Sequence, residues 1–336
     1  MSSSDSIIFS VFPMNDYLVK VFKCYSSLLA IQFRHVGESQ IESKSLMAQD
    51  KSNYENWDCP VVFHSSPSAF HQSPGFGDGI HRISLGISHL DILVRKRPGN
   101  SVLVVFSGAV DRTDTTPPYF SGVGLSSWLP FSLISISDPA FTVDETLRIG
   151  WYTGVRDEPI QTLIPEVIDT VLSRWKKRKA VLLGGSAGGF AALATAPQLR
   201  HSSATFAMNP QTNIENYHHK HSVKAWASVC KSEAPEQVID LASYYKTVAR
   251  QPTITYFQNS TDIHKDTHAE PFLAMLSERP TYVLGDWGEG HIPPPTEVLA
   301  AYLLPALLPK SAKTVLEKLP PALRQALIES IRKIQQ

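Results

Sequence analysis

The chain has 336 residues, 31 Lys and Arg against 31 Asp and Glu, and 43% apolar side chains, a composition that excludes disorder as its main state. A chain of this length buries about three quarters of its unfolded surface and needs neither disulfides nor a metal to stay folded. A formal net charge of +0 gives no electrostatic footprint for nucleic acid or an anionic membrane.

The N-terminus, Met1-Ser2-Ser3-Ser4-Asp5, lacks a positively charged n-region, and the apolar run over 7–14 is cut by Asp16 rather than ended by a small-residue cleavage site, so no signal peptide is expected. Short β-branched and aromatic runs at 7–12, 17–22, 28–33 and 61–64, separated by Ser, Asn and Gln, predict a small β-rich region over residues 1–85. Cys24, Cys59 and Cys230 are odd in number, far apart and without C-x-x-C spacing, which suits reduced thiols in a cytoplasm better than a disulfide scaffold or a zinc site. A cytoplasmic protein is the expectation. Residues 65–79 are dense in Pro and Gly and read as a linker or long surface loop. Within them, Gly75-Phe76-Gly77-Asp78-Gly79 lacks the sixth-position Gly of a dinucleotide fingerprint.

From residue 88 the pattern changes to strand-length apolar runs at 91–95, 102–106, 133–137, 180–183, 204–208, 253–257 and 281–284, alternating with helical periodicity. This predicts an α/β fold with a mostly parallel sheet, occupying residues 86–310. Ile160, Leu163, Ile164, Val167, Ile168, Val171, Leu172 and Trp175 form one apolar stripe of a helix, and Lys176-Lys177-Arg178-Lys179 reads as its solvated end. Further helices are expected over 188–199, 271–278 and 296–304. Residues 209–252 exceed a simple connection and carry helical patterns around 223–230 and 235–248, so an inserted helical cap is expected. The uncharged stretches 119–137 and 181–199 are interrupted by Gly, Ser and Pro, and no transmembrane helix is expected. The tail, 311–336, has the pattern of an amphipathic helix that must bury Leu323, Leu327, Ile331 and Ile334 on the body or on a second subunit, a route to a homo-oligomer.

The sharpest chemical signal is Gly184-Gly185-Ser186-Ala187-Gly188, in which an apolar strand runs into Gly-x-Ser-x-Gly and then into a helix-compatible run. A serine on a sharp strand-to-helix turn needs small residues two before and two after it, because bulkier side chains would collide with the neighbouring backbone. Such a turn exposes the Ser186 hydroxyl and aims the Ala187 N–H, at a helix N-terminus, toward a developing oxyanion. A dinucleotide loop would need Gly at 186 and a Walker loop a following Lys, so Ser186 reads as a nucleophile.

A serine hydroxyl is a weak nucleophile and requires a histidine base and a carboxylate that fixes its tautomer. After the strand at 253–257 comes Gln258-Asn259-Ser260-Thr261-Asp262, and after the next strand Gly285-Asp286-Trp287-Gly288-Glu289-Gly290-His291. His291 is the expected general base and Asp262 its acid, with Asp266 and Asp286 as competitors for the acid. The order Ser, Asp, His excludes the trypsin and subtilisin arrangements. The loop Ser107-Gly108-Ala109 after the strand at 102–106 should supply the second oxyanion donor, from the Gly108 or the Ala109 N–H. Trp151, Tyr152, His264 and Trp287 are candidate substrate contacts. His218-His219-Lys220-His221 lacks the spacing and carboxylates of a metal site, and neither a metal nor a cofactor is expected.

With the elbow at Ser186, Asp262 after a late strand and Gly290-His291 after the last, residues 85–310 resemble the α/β-hydrolase superfamily. The resemblance implies an eight-stranded-type sheet and a Ser-Asp-His triad. More loosely, Phe106-Ser107-Gly108-Ala109, Ile136-Ser137-Asp138-Pro139 and Gly150-Trp151-Tyr152 resemble bacterial hydrolase-like proteins associated with surface-polysaccharide modification, some of them similar to O-acetyltransferases. The His-Gly-Gly run of lipases is missing from the oxyanion loop. The expected function is acyl transfer through an acyl-serine, most simply hydrolysis of a small carboxylic ester. The alternatives are acyl transfer to a surface glycan and a catalytically inactive binding or scaffold protein.

Overall fold

The structure, a computed structural model, describes residues 53–113, 115–124, 131–233 and 236–307. The runs expected before residue 53 and the tail helix over 311–336 lie outside the described residues. Among the described residues a single nine-stranded sheet forms: β1 (Val61–His64), β2 (Gly79–Ser84), β3 (His89–Arg95), β4 (Ser101–Phe106), β5 (Ser132–Ile136), β6 (Lys179–Gly185), β7 (Ser202–Met208), β8 (Thr253–Asn259) and β9 (Thr281–Gly285). Their spatial order is β1-β2-β3-β5-β4-β6-β7-β8-β9. Only β3 runs against its neighbours, pairing antiparallel with β2 and β5. Parallel strands need crossovers, and covering both faces of the sheet with helices is what gives β4 (SVLVVF) its unbroken apolar run.

The pleat sorts that run between two cores. Val102, Val104 and Phe106 pack with α2 (Ile160–Trp175) and α3 (Ala187–Thr195) on one face. Leu103 and Val105 pack with Leu303, Leu304 and Leu307 of α7 (Thr296–Leu307) on the other. A third cluster lies over α3, where Phe190 and Leu193 meet Trp226 of α4 (Lys220–Val229) and Leu241 of α5 (Leu241–Tyr245).

Three elements differ from the sequence expectation. Residues 65–79 are not a plain loop: α1 (Pro67–Gln72) forms there, started by Pro67 in its first turn and by the Ser66 hydroxyl accepting from the Ala69 N–H, and it buries Phe70. This helix is the crossover that lets β1 pair parallel with β2, so residues 61–84 extend the main sheet. The helix expected over 271–278 lies earlier, as a π-helical turn (Lys265–Ala269) running into α6 (Glu270–Leu273) that buries Ala269 and Phe272. Lys177 is not solvated, since its ammonium donates to the carbonyls of Arg97 and Gly99 beneath the sheet end. Among the described residues no helix is long and apolar enough to cross a membrane.

Candidate active site

Four neighbouring parallel strands, β6 to β9, end at the same edge of the sheet, and each delivers polar residues just beyond its C-terminal end, the usual place for a site in an open α/β sheet. Ser186 follows β6 directly and holds φ 56° and ψ −123°, a conformation unusual for a residue with a side chain and characteristic of a nucleophile elbow. Its N–H donates to Met208 O and its carbonyl accepts from the Phe190 N–H, which ties the turn to β7 and to α3. The close approach of strand and helix is possible because Gly184 has no side chain. A Cβ there would stand 2.1 Å from Gly188 O.

The Ala187 N–H lies at the first position of α3, where no intrahelical acceptor exists. Gly108 backs directly onto the elbow, its Cβ position 3.2 Å from Gly185 O and 3.6 Å from Ser186 Cβ. The Ser107 N–H is committed to the Tyr152 hydroxyl at 2.7 Å, whereas the Gly108 and Ala109 N–H groups have no partner among the described residues. Gly108 thus stands beside Ser186 with its N–H uncommitted among the described residues.

His291, six residues past β9, has its Nδ1 2.6 Å from Asp262 Oδ2, and its side chain is 39% exposed. Of the three carboxylates considered, Asp262 alone meets the imidazole: Asp266 is exposed and paired with Lys265, and Asp286 is exposed and accepts from the Gly288 N–H. Burial on its own would raise the Asp262 carboxyl, but the bond from His291, the His264 N–H and the neighbouring imidazoles outweigh it and hold the group below the ordinary carboxylate value. The hydrogen-bond partner of the Ser186 hydroxyl among the described residues is Gln211, with no bond to His291.

Three of the expected substrate contacts lie in the interior. Trp151, Tyr152 and His264 are buried. The Trp151 indole N–H donates to Gln211 Oε1, and the Tyr152 hydroxyl accepts from Ser107 and donates to Ile136 O, so both support the site from beneath. His264 sets its ring edge-on to His291 with centroids 4.5 Å apart, and burial together with the charge of His291 pushes its pKa down to about 3. Trp287 is half-buried beside Gly285. Asp262, His264 and His291 also offer ligand atoms within 4.8 Å of one another, the one metal-like grouping of His, Cys, Asp and Glu among the described residues. A cation there would have to displace the 2.6 Å bond between Asp262 and His291.

Three polar residues at strand ends escaped the sequence reading. Asn259 closes β8 and donates from Nδ2 to Gly288 O and Gly290 O, at 2.7 and 2.6 Å, while its Oδ1 accepts from the Trp287 N–H. Asn209, at φ 41° just past β7, accepts from the Asn259 N–H and donates to Ile292 O at 2.7 Å. Together they fix the loop that carries His291. Gln211 bridges Ser186 and Trp151. The available signal was position, since each lies at or just past the C-terminal end of a central strand.

The sequence matches no protein-family model and no curated protein. Among solved structures, the chain is similar to the acylaminoacyl peptidase of Pyrococcus horikoshii, at 14% identity and a TM-score of 0.46, over 66% of this chain and 38% of that one. It is also similar to an acetyl xylan esterase from Paenibacillus sp. R4, at 15% identity and 0.45, over 72% and 92% of the two chains. An S-formylglutathione hydrolase from Agrobacterium tumefaciens aligns at 15% identity and 0.43, over 66% and 92%. The chain thus spans about two fifths of the length of the peptidase. What defines the fold is the molecule's own layout, a mostly parallel sheet with one antiparallel strand near its edge and a strand-to-helix elbow bearing Ser186: it is an α/β-hydrolase fold.

Proposed function

We propose that this protein is a serine hydrolase that cleaves a carboxylic ester through an acyl-Ser186 intermediate. The observation that carries the reading is the conjunction of Ser186 on a strained elbow with His291 held at 2.6 Å by the buried carboxylate of Asp262. His291 Nε2 takes the hydroxyl proton as Ser186 Oγ bonds to the carbonyl carbon. The oxyanion is held by the N–H of Ala187 and that of Gly108 or Ala109. The alcohol departs with the proton from His291, and a water activated by the same imidazole hydrolyses the acyl-serine. With its side chain 39% exposed among the described residues, His291 is open to water, the acceptor we favour over a sugar hydroxyl.

Intact-mass labelling with a fluorophosphonate tests this, comparing wild type with Ser186→Ala and His291→Ala. One adduct per chain in the wild type and none in either variant is the expected result. A folded wild type that takes no adduct removes the enzymatic reading and leaves a binding protein built on this fold. A panel of p-nitrophenyl esters, with and without added sugar acceptors, then separates hydrolysis from transfer.

A further inference from the structure

The side chain of Gln211 is fully buried and joins two groups of unequal chemistry. Its Nε2 lies 2.7 Å from Ser186 Oγ and its Oε1 accepts from Trp151 Nε1 at 3.1 Å. An indole nitrogen is a donor only, so it fixes which end of the carboxamide faces it: the oxygen must point to Trp151 and the NH2 group must point to Ser186. Trp151 has no freedom to release that hold. It sits at φ 53° with no exposed surface, edge-on to Trp226 at 6.0 Å and to Tyr217 at 5.6 Å. The backbone beside Gln211 is pinned as well, because Thr212 donates its N–H to His268 Nδ1 and its hydroxyl to His268 O.

We propose that Gln211 is a positioning residue for the nucleophile, a fixed N–H donor to Ser186 Oγ that directs the hydroxyl proton toward His291. The inference rests on the reading of Ser186 as the nucleophile. With one lone pair of Oγ taken by Gln211, the hydroxyl cannot donate in that direction, and its proton is left for the imidazole while the remaining lone pair attacks. The same donor serves the second half-reaction. Water gives its proton to His291 as its oxygen bonds to the acyl carbon; the C–Oγ bond then breaks with its electron pair going to Oγ, which recovers the proton from His291. An N–H already aimed at Oγ stabilises the negative charge that gathers there before the proton arrives.

The test is the rate of fluorophosphonate labelling of wild type, Gln211→Met and Gln211→Glu, with Ser186→Ala as the blank. Methionine keeps the length of the side chain and removes the donor, and labelling should slow by about 10- to 100-fold. Glutamate keeps the shape and can donate only when protonated. When ionised it accepts the Ser186 proton and turns it away from His291. The ratio of the Gln211→Glu rate to the wild-type rate should therefore fall by about tenfold or more between pH 5 and pH 8, measured where circular dichroism shows the variant folded. A buried residue with only a structural role would slow labelling by a ratio that does not depend on pH. That result, or a wild-type rate in both variants, overturns the inference and leaves the hydrolase reading standing. If Gln211→Met does not fold, the pH ratio of Gln211→Glu decides. A wild type that takes no adduct overturns both.

Discussion

The carbonyl oxygen of Gly188 occupies the space that a side chain on Gly184 would need, with only 2.1 Å between that oxygen and the Cβ position of residue 184. The neighbour is backbone, in the first turn of α3, and cannot step aside without moving the elbow. Gly184→Ala should therefore cost about 3 kcal/mol or more of folding stability, a loss readable in urea titration, and the folded fraction should label slowly with fluorophosphonate. An unchanged unfolding midpoint would show that the elbow relaxes.

Asp262→Asn keeps the size of the group but removes its charge and lets the imidazole settle in the wrong tautomer. Labelling should slow by about 10³- to 10⁴-fold, with little change in stability at neutral pH. A loss smaller than tenfold would mean that another group orients His291.

Asn259 is the clamp on the His291 loop, through three carbonyl or hydroxyl acceptors and one N–H donor. Asn259→Ala removes these part-buried bonds, leaving Gly288 O only its bond from the Thr261 hydroxyl, and loosens residues 286–291, so we expect a stability loss of about 1–2 kcal/mol and labelling slowed by about 10- to 100-fold. Retention of the wild-type rate would show that Asn209 holds the loop alone.

Tyr152→Phe removes a hydroxyl that bridges the Ser107 N–H and Ile136 O inside the core. The cost should be about 1–3 kcal/mol, with labelling reduced about tenfold as the Gly108 loop shifts against the elbow. Hydrogen exchange at Ser107 is the direct readout, and unaltered protection there would refute the bridge.

Two buried histidines make stability depend on pH. Burial, then the charge of His291, pushes His264 down to about 3, and burial pushes His268 down to about 4, both from an ordinary value of 6.5. Below pH 6.5 the unfolded chain binds protons that the folded chain refuses, so the stability these groups carry is full above that pH and drains as the pH falls toward their folded values. Each should contribute up to about 1.4 kcal/mol per pH unit through pH 6 to 4. Urea titrations at pH 7, 6 and 5 should show the fall, with a shallower slope in the His264→Gln, His268→Gln double variant. Equal slopes in the two proteins would contradict it.

The central strands were legible because parallel strands buried on both faces must be continuous apolar runs. The expected segments at 102–106, 180–183, 204–208 and 253–257 lie within β4, β6, β7 and β8. The stripe from Ile160 to Trp175 was equally plain, since one face of α2 meets the sheet. The elbow could be read because its steric demand is local: the residues that collide are neighbours in sequence. Other features answer to partners far along the chain. Gln211 takes its meaning from Ser186 and Trp151, 25 and 60 residues away, and Asn259 from a loop about 30 residues on. Trp151 and Tyr152 looked like aromatics for a ligand until their polar atoms were seen to be used inside the core. Proline misled at 67, where it marks the start of a helix that buries Phe70; at 271 its place in a helix's first turn was read, but not how short that helix is.

The four strands that deliver Ser186, Gln211, Asp262 and His291 stand side by side in the order in which they are synthesised. The imidazole is made 105 residues after the serine, a delay of about 5–20 s at ordinary translation rates. Throughout that interval β6 and the elbow can form, but the edge on which β9 must settle is still open, and the residue proposed as the base of Ser186 has yet to be made. On the proposed hydrolase reading, a nascent chain is therefore born inert, and acquires its chemistry in one step when the ninth strand docks.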